Sequence, residues 1–525
     1  MQTQEWGNGF TAPPQSYWMA SVDFPEYEQL AGNLETDVAI VGGGIAGITS
    51  AFLLKQSGFK VVLLEATRIL HGTTGHTTAK VTAQHDIIYS TIKGKMDQES
   101  AEQYAKANQA AIEAIDTIIQ QNNIECDFSW QPAYVYTQDE NYILQIQEEY
   151  ETALSLGFSA AFMEEIPLPF KVKAALRFDN QAQFHPLKYL HALAGMIPGN
   201  GSYLFENTKA IDIHTQSGSG YAISTDTGYY IKAPNIIVAT HYPFYDGNGM
   251  YFARIYPDRS YAIGVTISDS YPGRMYITAE DPGRSWRSHP MDKGEELIII
   301  GGEHHKTGQG ADTRIHYQNL LDTANNTFQV KEVLYRWSTQ DYTTMDQVPY
   351  IGPLNSKDPG IYIATGFRKW GMTNGTAAAM ILRDYILGKE NDWAPVFLPS
   401  RIKLGASAGK FVTENVNVAK HLIKGKLTAA EEKIELQPGE AKVLEIDGKK
   451  SGAFRDMQGQ LHIVDTTCTH MGCELSWNSA EHSWDCPCHG SRFTYEGKVI
   501  ESPAQKPLNK FDTQDNGFPE PGPGE

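Results

Sequence analysis

A continuous apolar run opens at Asp37 (DVAIV); it is too short for a helix and reads as a buried strand. A glycine turn follows, then a small-residue helix over Ile45–Gln56 and a second strand ending at Glu65 (KVVLLE), which together make a βαβ unit. From about Asp97 to Gln121 the pattern is helical, rich in Ala, Glu and Gln. From about Tyr256 to Gly302 it becomes strand-like (YAIGVTIS, RMYITA, ELIIIGG). A last strand of this half, Ile361 to Thr365, meets a glycine turn and an Ala-rich helix over Thr376–Leu387. The pattern breaks near Trp393. Residues 393–430 hold Pro395, Pro399 and Gly405, then a short amphipathic helix near Val416 to Lys424, and read as a connector. From about Lys433 the chain turns to short strands and turns, and residues 512–525 read as a flexible Pro/Gly-rich tail. There is no internal repeat.

At roughly 150 residues per domain, 525 residues allow two to four domains, and 41% hydrophobic residues suffice for a sizeable core. The formal charge of −19, from 43 basic and 62 acidic residues, argues against nucleic-acid and anionic-membrane partners. No run has the ~18 apolar residues of a membrane span. Met1 to Pro14 has neither the basic nor the apolar region of a secretory signal, so the cytoplasm is the expected compartment. Of the five cysteines, Cys468, Cys473, Cys486 and Cys488 cluster, which in a cysteine-poor chain points to a metal site more than a disulfide framework. Cys126, between Glu125 and Asp127, reads as a half-buried structural residue.

The cluster has a pattern: Cys468-Thr469-His470, then Cys486-Pro487-Cys488-His489 after fifteen intervening residues. Two Cys/His pairs on two loops suit a four-coordinate site, either Cys₂His₂ zinc or a [2Fe–2S] centre with thiolates on one iron and imidazoles on the other. The full boxes, CTHMGC and CPCHGS, and the proline-containing loop SPAQKPL closely resemble the Rieske family over about 80 residues. The resemblance implies one Rieske cluster held by Cys468, His470, Cys486 and His489. In the high-potential branch it also implies a Cys473–Cys488 disulfide and a Ser491 hydrogen bond to a bridging sulfide. Neutral imidazoles lift such a cluster from about −400 mV to roughly −150 to +300 mV. Where that branch has a tyrosine donating to a cysteine sulfur, this chain has Phe493, so its potential is expected below that of quinol-oxidising Rieske proteins.

Gly42-x-Gly44-x-x-Gly47 sits in the strand–turn–helix of the βαβ unit, with Glu65 at the end of the second strand. The glycines permit a tight turn and close pyrophosphate approach, the helix N-terminus holds phosphate, and Glu65 suits ribose hydroxyls. The motif alone leaves FAD and NAD open. The later segments GTTGHTTA (72–79), NIIVAT (235–240), DQVPYIGP (346–353) and GFRKWGMTNG (366–375) resemble, in order, the D-amino-acid-oxidase-like flavoproteins, over roughly residues 30 to 390. The resemblance implies FAD, contacted by Gly42, Gly44, Ile45, Ala46, Gly47, Glu65, Ala66, Thr74, His76 and Thr77. Gly366, Lys369, Gly371, Met372 and Thr373 match the segment that covers the flavin ring. Some relatives attach FAD covalently through a histidine in a GTTWHTAG-like string; Gly75 stands here in place of that Trp, and an ordinary loop role for His76 is the alternative. No second GxGxxG appears, which favours a substrate that reduces the flavin directly.

The two resemblances together imply a fold class. It is an α/β Rossmann-type FAD-binding domain with an interleaved α+β substrate domain, plus a C-terminal all-β Rieske domain. Residues 1–392 would form the oxidoreductase, 393–430 a linker with a short helix, 431–511 the Rieske domain and 512–525 the tail. The expected activity is oxidation of an amine or amino-acid-like substrate by hydride transfer to flavin, with electrons passed through the cluster to an external one-electron acceptor. The alternatives are an O₂-using amine oxidase with a structural Rieske domain and an electron-transfer protein feeding a partner oxygenase or demethylase. Candidate catalytic residues are Lys369, His305 and Arg287, the last as a bidentate carboxylate clamp. His185, Tyr261 and His304 are further polar candidates, each with a structural role as the alternative.

Overall fold

The computed structural model describes residues 13–216, 220–247, 249–291, 294–310, 312–401, 404–427, 436–446 and 449–511. The expected tail, 512–525, lies outside the described residues. Strands Val38–Val41 and Val61–Leu64 are buried along their whole length. Continuous apolar runs of this kind belong in the middle of a parallel sheet covered on both faces. The sheet runs in the order Tyr350–Pro353, Ile361–Thr365, Asn235–Val238, Val38–Val41, Val61–Leu64, Tyr203–Phe205. Only the Tyr350–Pro353 edge strand pairs antiparallel. Helix Ile45–Gln56 leaves Val38–Val41 across the glycine turn and packs on helix Gly371–Ile386.

A second, nine-stranded sheet takes its strands from two separate stretches. Ser129–Thr137 and Ala174–Gln183 come before the nucleotide sheet's strand Asn235–Val238, and Ile255–Ile267 through Val330–Thr344 come after it. The chain thus crosses between the sheets more than once, which is the interleaving expected of the substrate domain. The C-terminal part is built of strands, three in one antiparallel sheet (Ala441–Ile446, Lys449–Arg455, Leu461–Asp465) and four in another between Ser476 and Glu501. Buried Trp484 lies against Gly452, where a Cβ would come within 2.3 Å of the indole.

The connector is more ordered than its pattern suggests. Ala394–Phe397 forms one helical turn whose Phe397 ring packs 5.7 Å from Tyr104. The short helix expected near Val416 to Lys424 extends over Leu404–Leu427. Tertiary contacts supply what its glycines do not: Glu414 pairs with Lys306 as well as with Lys410 one turn earlier in the same helix, and Val418 and Leu422 pack on the core around the four clustered cysteines. Ahead of it, Arg401 grips Asp346 through two 2.8 Å contacts, both side chains nearly sequestered. Burial alone would raise the Asp346 carboxyl, but Arg401 holds it below its ordinary value. The stabilisation is therefore present above the unfolded aspartate value of ~3.9 and is lost as pH falls through the lower folded value. Asp346→Asn is expected to lower stability by about 1.5–3 kcal/mol at pH 7 and by little in strong acid, measured as thermal midpoints across pH.

Candidate functional site

One cavity of about 1050 Å³ opens between the two sheets. This is near the upper end of the ~300–1,000 Å³ usual for small-molecule sites. Its nucleotide end is the glycine turn. Gly42 has φ +110°, a conformation that favours glycine, and Gly44 caps the helix with no side chain. Glu65 is fixed at the strand end, accepting from the Gly43 amide at 2.8 Å and the Thr67 amide at 3.0 Å. Burial raises its carboxyl above the ordinary range. A bare helix N-terminus facing a carboxylate that can take a diol fits the pyrophosphate and ribose of a dinucleotide.

Gly42, Gly44, Ile45, Ala46, Glu65 and Ala66 line this cavity, as do Thr74, His76, Thr77, Lys369, Gly371 and Met372. Gly47, Gly366 and Thr373 stand behind the wall. A Cβ on Gly47 would lie 1.9 Å from the Gly42 carbonyl oxygen, one on Gly366 would lie 2.5 Å from a Thr344 methyl, and the Thr373 hydroxyl donates to the Thr82 carbonyl at 3.0 Å. His76 ends a 3₁₀ turn, its Nδ1 2.9 Å from the Gly72 carbonyl. Gly75 has a physical reason. The N-terminal turn Tyr17–Ala20 packs over it, so that a Cβ would come within 2.7 Å of the Met19 sulfur.

The catalytic candidates separate. Lys369 lines the cavity. Arg287 is fully buried away from it, its guanidinium donating to the Thr78 and Ala79 carbonyls, so it has no fork left for a carboxylate. His305 reaches the margin, but its ring nitrogens are engaged by the Tyr261 hydroxyl and the Lys306 and Gln309 carbonyls. Tyr261 is that partner, and His185 caps helix Pro186–Gly195. His304 lines the cavity and pairs with Asp281 at 3.3 Å. Cys126 is buried, and burial pushes its thiol up to about 12, which makes it inert. Sequence reasoning missed Lys80, Asp258, Asp341 and Tyr342. Lys80 donates to the Tyr276 carbonyl, and burial lowers its ammonium to about 7. The polar face Thr339, Asp341, Thr343 follows the two-residue period of a strand, a signal that could have marked it.

The cysteine loops lie beside this cavity. Cys473 and Cys488 are joined as a disulfide, with Cα atoms 6.5 Å apart. The sulfurs of Cys473, Cys486 and Cys488 fall within 4.8 Å of one another, but two of these three are spent on that bond. Cys468 and Cys486 are free and buried, and a hydrogen bond between their thiols draws Cys468 below its ordinary value. The His470 and His489 rings stand 5.0 Å apart, each with a buried Nδ1 that has no partner. Two free thiols and two open imidazole nitrogens fit the donor set of a Rieske cluster. The Ala504 amide donates to Ser491 Oγ at 2.9 Å, which leaves the Ser491 proton for the sulfur side. Phe493 is fully buried in the core that holds the four cysteines. Phe493→Tyr is expected to raise the cluster potential by tens of millivolts, on the order that one sulfur hydrogen bond commands. An EPR-monitored redox titration reads it, and an unchanged potential contradicts it.

The two sites share a wall. The Tyr342 hydroxyl shares its one proton between the Ser502 carbonyl at 2.9 Å and the His489 carbonyl at 3.2 Å, while Gln340 donates to the Gly490 carbonyl at 2.9 Å. Tyr242 lies 5.2 Å from the Tyr342 ring and 6.4 Å from the His470 ring. Val499, Glu501 and Ser502 complete the cavity lining. Glu481 pins the rest of the interface, accepting from Tyr317 at 2.8 Å and meeting Arg259 at 3.3 Å.

The family model for FAD dependent oxidoreductases (DAO) matches residues 37–385, and that for the Rieske [2Fe-2S] domain matches 426–512. A relative from Bacillus subtilis (strain 168), named as a Rieske 2Fe-2S iron-sulfur protein, YhfW, is 46% identical over 500 residues, covering 95% of this chain and 98% of its own. Gamma-glutamylputrescine oxidoreductase of Escherichia coli (strain K12) is 24% identical, covering 72% of this chain and 90% of its own. The crystal structure of glycine oxidase from Geobacillus kaustophilus superposes with a TM-score of 0.58 at 20% identity, over 70% of this chain and 100% of that one. No helix among the described residues is long and apolar enough to cross a membrane. The chain belongs to the DAO family of FAD dependent oxidoreductases, an enzyme family, and carries a C-terminal Rieske [2Fe-2S] domain.

Proposed function

We propose that the protein is an FAD-dependent dehydrogenase that oxidises an amine or amino-acid-like substrate at a C–H bond next to nitrogen and delivers the electrons through its Rieske domain to an external one-electron acceptor. The observation that carries this reading is the shared wall, in which Tyr342 lines the flavin cavity and donates to the carbonyl of His489. When bound, FAD supplies a hydride acceptor and the cluster a carrier of single electrons. The chain supplies placement. Gly42, Gly44 and Glu65 would hold the nucleotide end, and Lys369, Gly371 and Met372 the ring end, where the Lys369 ammonium favours negative charge on reduced flavin. Cys468, His470, Cys486 and His489 would hold the cluster. In this reading residues 1–392 oxidise, 431–511 form the electron outlet, 393–430 join them, and the protein works in the cytoplasm. The names of two similar proteins, a gamma-glutamylputrescine oxidoreductase and a glycine oxidase, support a nitrogen-bearing substrate.

The test is an anaerobic screen of primary and secondary amines, N-methyl amino acids and amino acids against the flavin spectrum. The expected result is bleaching of the flavin band, followed by the EPR signal of a reduced Rieske centre. Bleaching with no EPR signal would overturn the electron route. Reduction by NAD(P)H alone would overturn the substrate.

A further inference from the structure

The turn that joins strand Ile361–Thr365 to helix Gly371–Ile386 has an unfavourable backbone. Arg368 has φ +49° and Lys369 φ +60°, and among the described residues they are the only two adjacent non-glycine residues with positive φ. A side chain makes this left-handed conformation costly, and chains visit it as single residues. Such strain persists only where the surroundings hold it, and it gathers at functional sites. Phe367, Arg368, Lys369 and Trp370 all line the flavin cavity. Part of the hold comes from the long strand Val330–Thr344. The Arg368 amide donates to the Tyr342 carbonyl at 3.2 Å, and Phe367 bridges to Thr343.

The rest comes from the loop after strand Lys80–Val81. His85 is fully buried and stands behind the cavity wall. Its ring stacks on the Trp370 indole, with centroids 4.8 Å apart and planes 19° from parallel. Its Nε2 lies 2.8 Å from the Thr82 carbonyl and 3.0 Å from the Thr373 hydroxyl, which itself donates to the same carbonyl. A carbonyl only accepts, so Nε2 carries the proton. Nδ1 is then the acceptor, and it takes the Tyr104 hydroxyl at 2.6 Å. Burial keeps the imidazole neutral, lowering it to about 3. Asp86, the next residue, forms an ion pair with Arg368 at 3.2 Å. His85 and Asp86 thus grip Arg368, Trp370 and Thr373, on both sides of Lys369.

We propose that His85 is a positioning residue for the flavin ring: it braces the strained turn from behind and so keeps the Lys369 ammonium at the ring of bound FAD. This rests on the reading above, in which Lys369, Gly371 and Met372 hold the ring end. A cation there favours the negative charge of reduced flavin and so raises the flavin potential. Asp258 and Asp341 both feel Lys369 electrostatically. A displaced ammonium would leave their charge less compensated as well, so both effects push the potential the same way, downward.

The test is a spectroelectrochemical titration of the FAD-loaded full chain on the flavin band, with the Rieske potential read by EPR alongside. Lys369→Met is expected to shift the flavin potential to a more negative value. His85→Leu removes both the stack and the hydrogen bonds and should shift it in the same direction. His85→Phe keeps a ring against Trp370 and should shift it less. Tyr104→Phe removes only the hydroxyl that donates to Nδ1 and should give a small shift of the same sign. The Rieske potential should not move in any of them. In the Lys369→Met background, His85→Leu should add little. A merely structural role for His85 would lower the thermal midpoint and leave the flavin potential where it was, which overturns the proposal. A full-sized shift from His85→Leu with Lys369 already absent overturns it too. Should His85→Leu not fold or not retain FAD, His85→Phe and Tyr104→Phe carry the test, and an unmoved potential in both overturns it. A shift from Lys369→Met with none from the His85 variants sinks this proposal alone. A potential indifferent to Lys369→Met sinks the ring-end placement in the reading above, and this proposal with it.

Discussion

Changing Cys486 to serine is expected to abolish the Rieske EPR signal, leave FAD in place, and cut electron delivery to an external acceptor by about 100-fold or more, beyond the 10–100-fold typical of losing a mere supporting residue. Serine keeps the size of the side chain but not the soft thiolate that iron–sulfur chemistry demands. Cys486 is buried opposite Cys468, with its amide bonded to the Ser491 carbonyl at 2.8 Å, so nothing else can move into the vacated position without breaking the loop. The loops should nonetheless stay folded. The Cys473–Cys488 bridge spans a sequence separation of 15, and a loop of that length is worth about 3 kcal/mol in the unfolded-chain entropy model. The interface contacts of Glu481, Gln340 and Tyr342 do not depend on Cys486. Amine-dependent bleaching of the flavin under anaerobic conditions should therefore survive while the signal and the acceptor activity vanish together. If acceptor reduction persists without the cluster, the flavin is handing electrons out directly and the Rieske half is not the outlet.

The second large effect is at Gly47. A Cβ there would lie 1.9 Å from the carbonyl oxygen of Gly42, a backbone atom that cannot step aside as a flexible side chain could. Gly47→Ala must therefore lift helix Ile45–Gln56 off the Gly42–Gly44 turn, which in the proposed reading holds the phosphates of FAD. Overpacking of this kind costs about 1–3 kcal/mol, which at 1.4 kcal/mol per factor of ten is roughly 5–150-fold in flavin affinity. The purified variant should show depleted flavin absorbance and a lowered thermal midpoint, yet a dithionite-reduced Rieske EPR signal of ordinary shape. A variant retaining full FAD would mean that the turn can open without cost and that the glycine is not needed for close packing.

Much of the flavin half could be read from residues 37–65, because the motif is local. A strand, a glycine turn, a helix and an acidic residue lie within thirty residues, and each has a backbone reason for being there. Helix Ile45–Gln56 and strand Ile361–Thr365 appear where the hydrophobic pattern predicts them. The connector helix is longer than its pattern suggests, and the contacts that anchor it, Glu414 on Lys306 and Val418 and Leu422 on the core around the cysteines, join residues far apart in sequence, which a local pattern cannot report. Arg287 and His305 were attractive as chemical types, but their donors and acceptors are consumed by backbone carbonyls and by Tyr261, which residue type alone does not reveal.

By itself the sequence determined a nucleotide turn and a four-ligand Cys/His site, since glycines at fixed spacing and two Cys/His boxes specify backbone geometry and donor chemistry within short segments, and the resemblance of longer segments to two families pointed to FAD and a Rieske cluster as their occupants. Only the tertiary structure decided how they are wired. Tyr342 reaches His489 across 147 positions of sequence and Asp341 faces Asp258 across two strands, so both pairings depend on sheet register and domain docking. The same docking sets the lining of the cavity, where Rieske residues 499–502 and the glycine turn after strand Val38–Val41 share one surface.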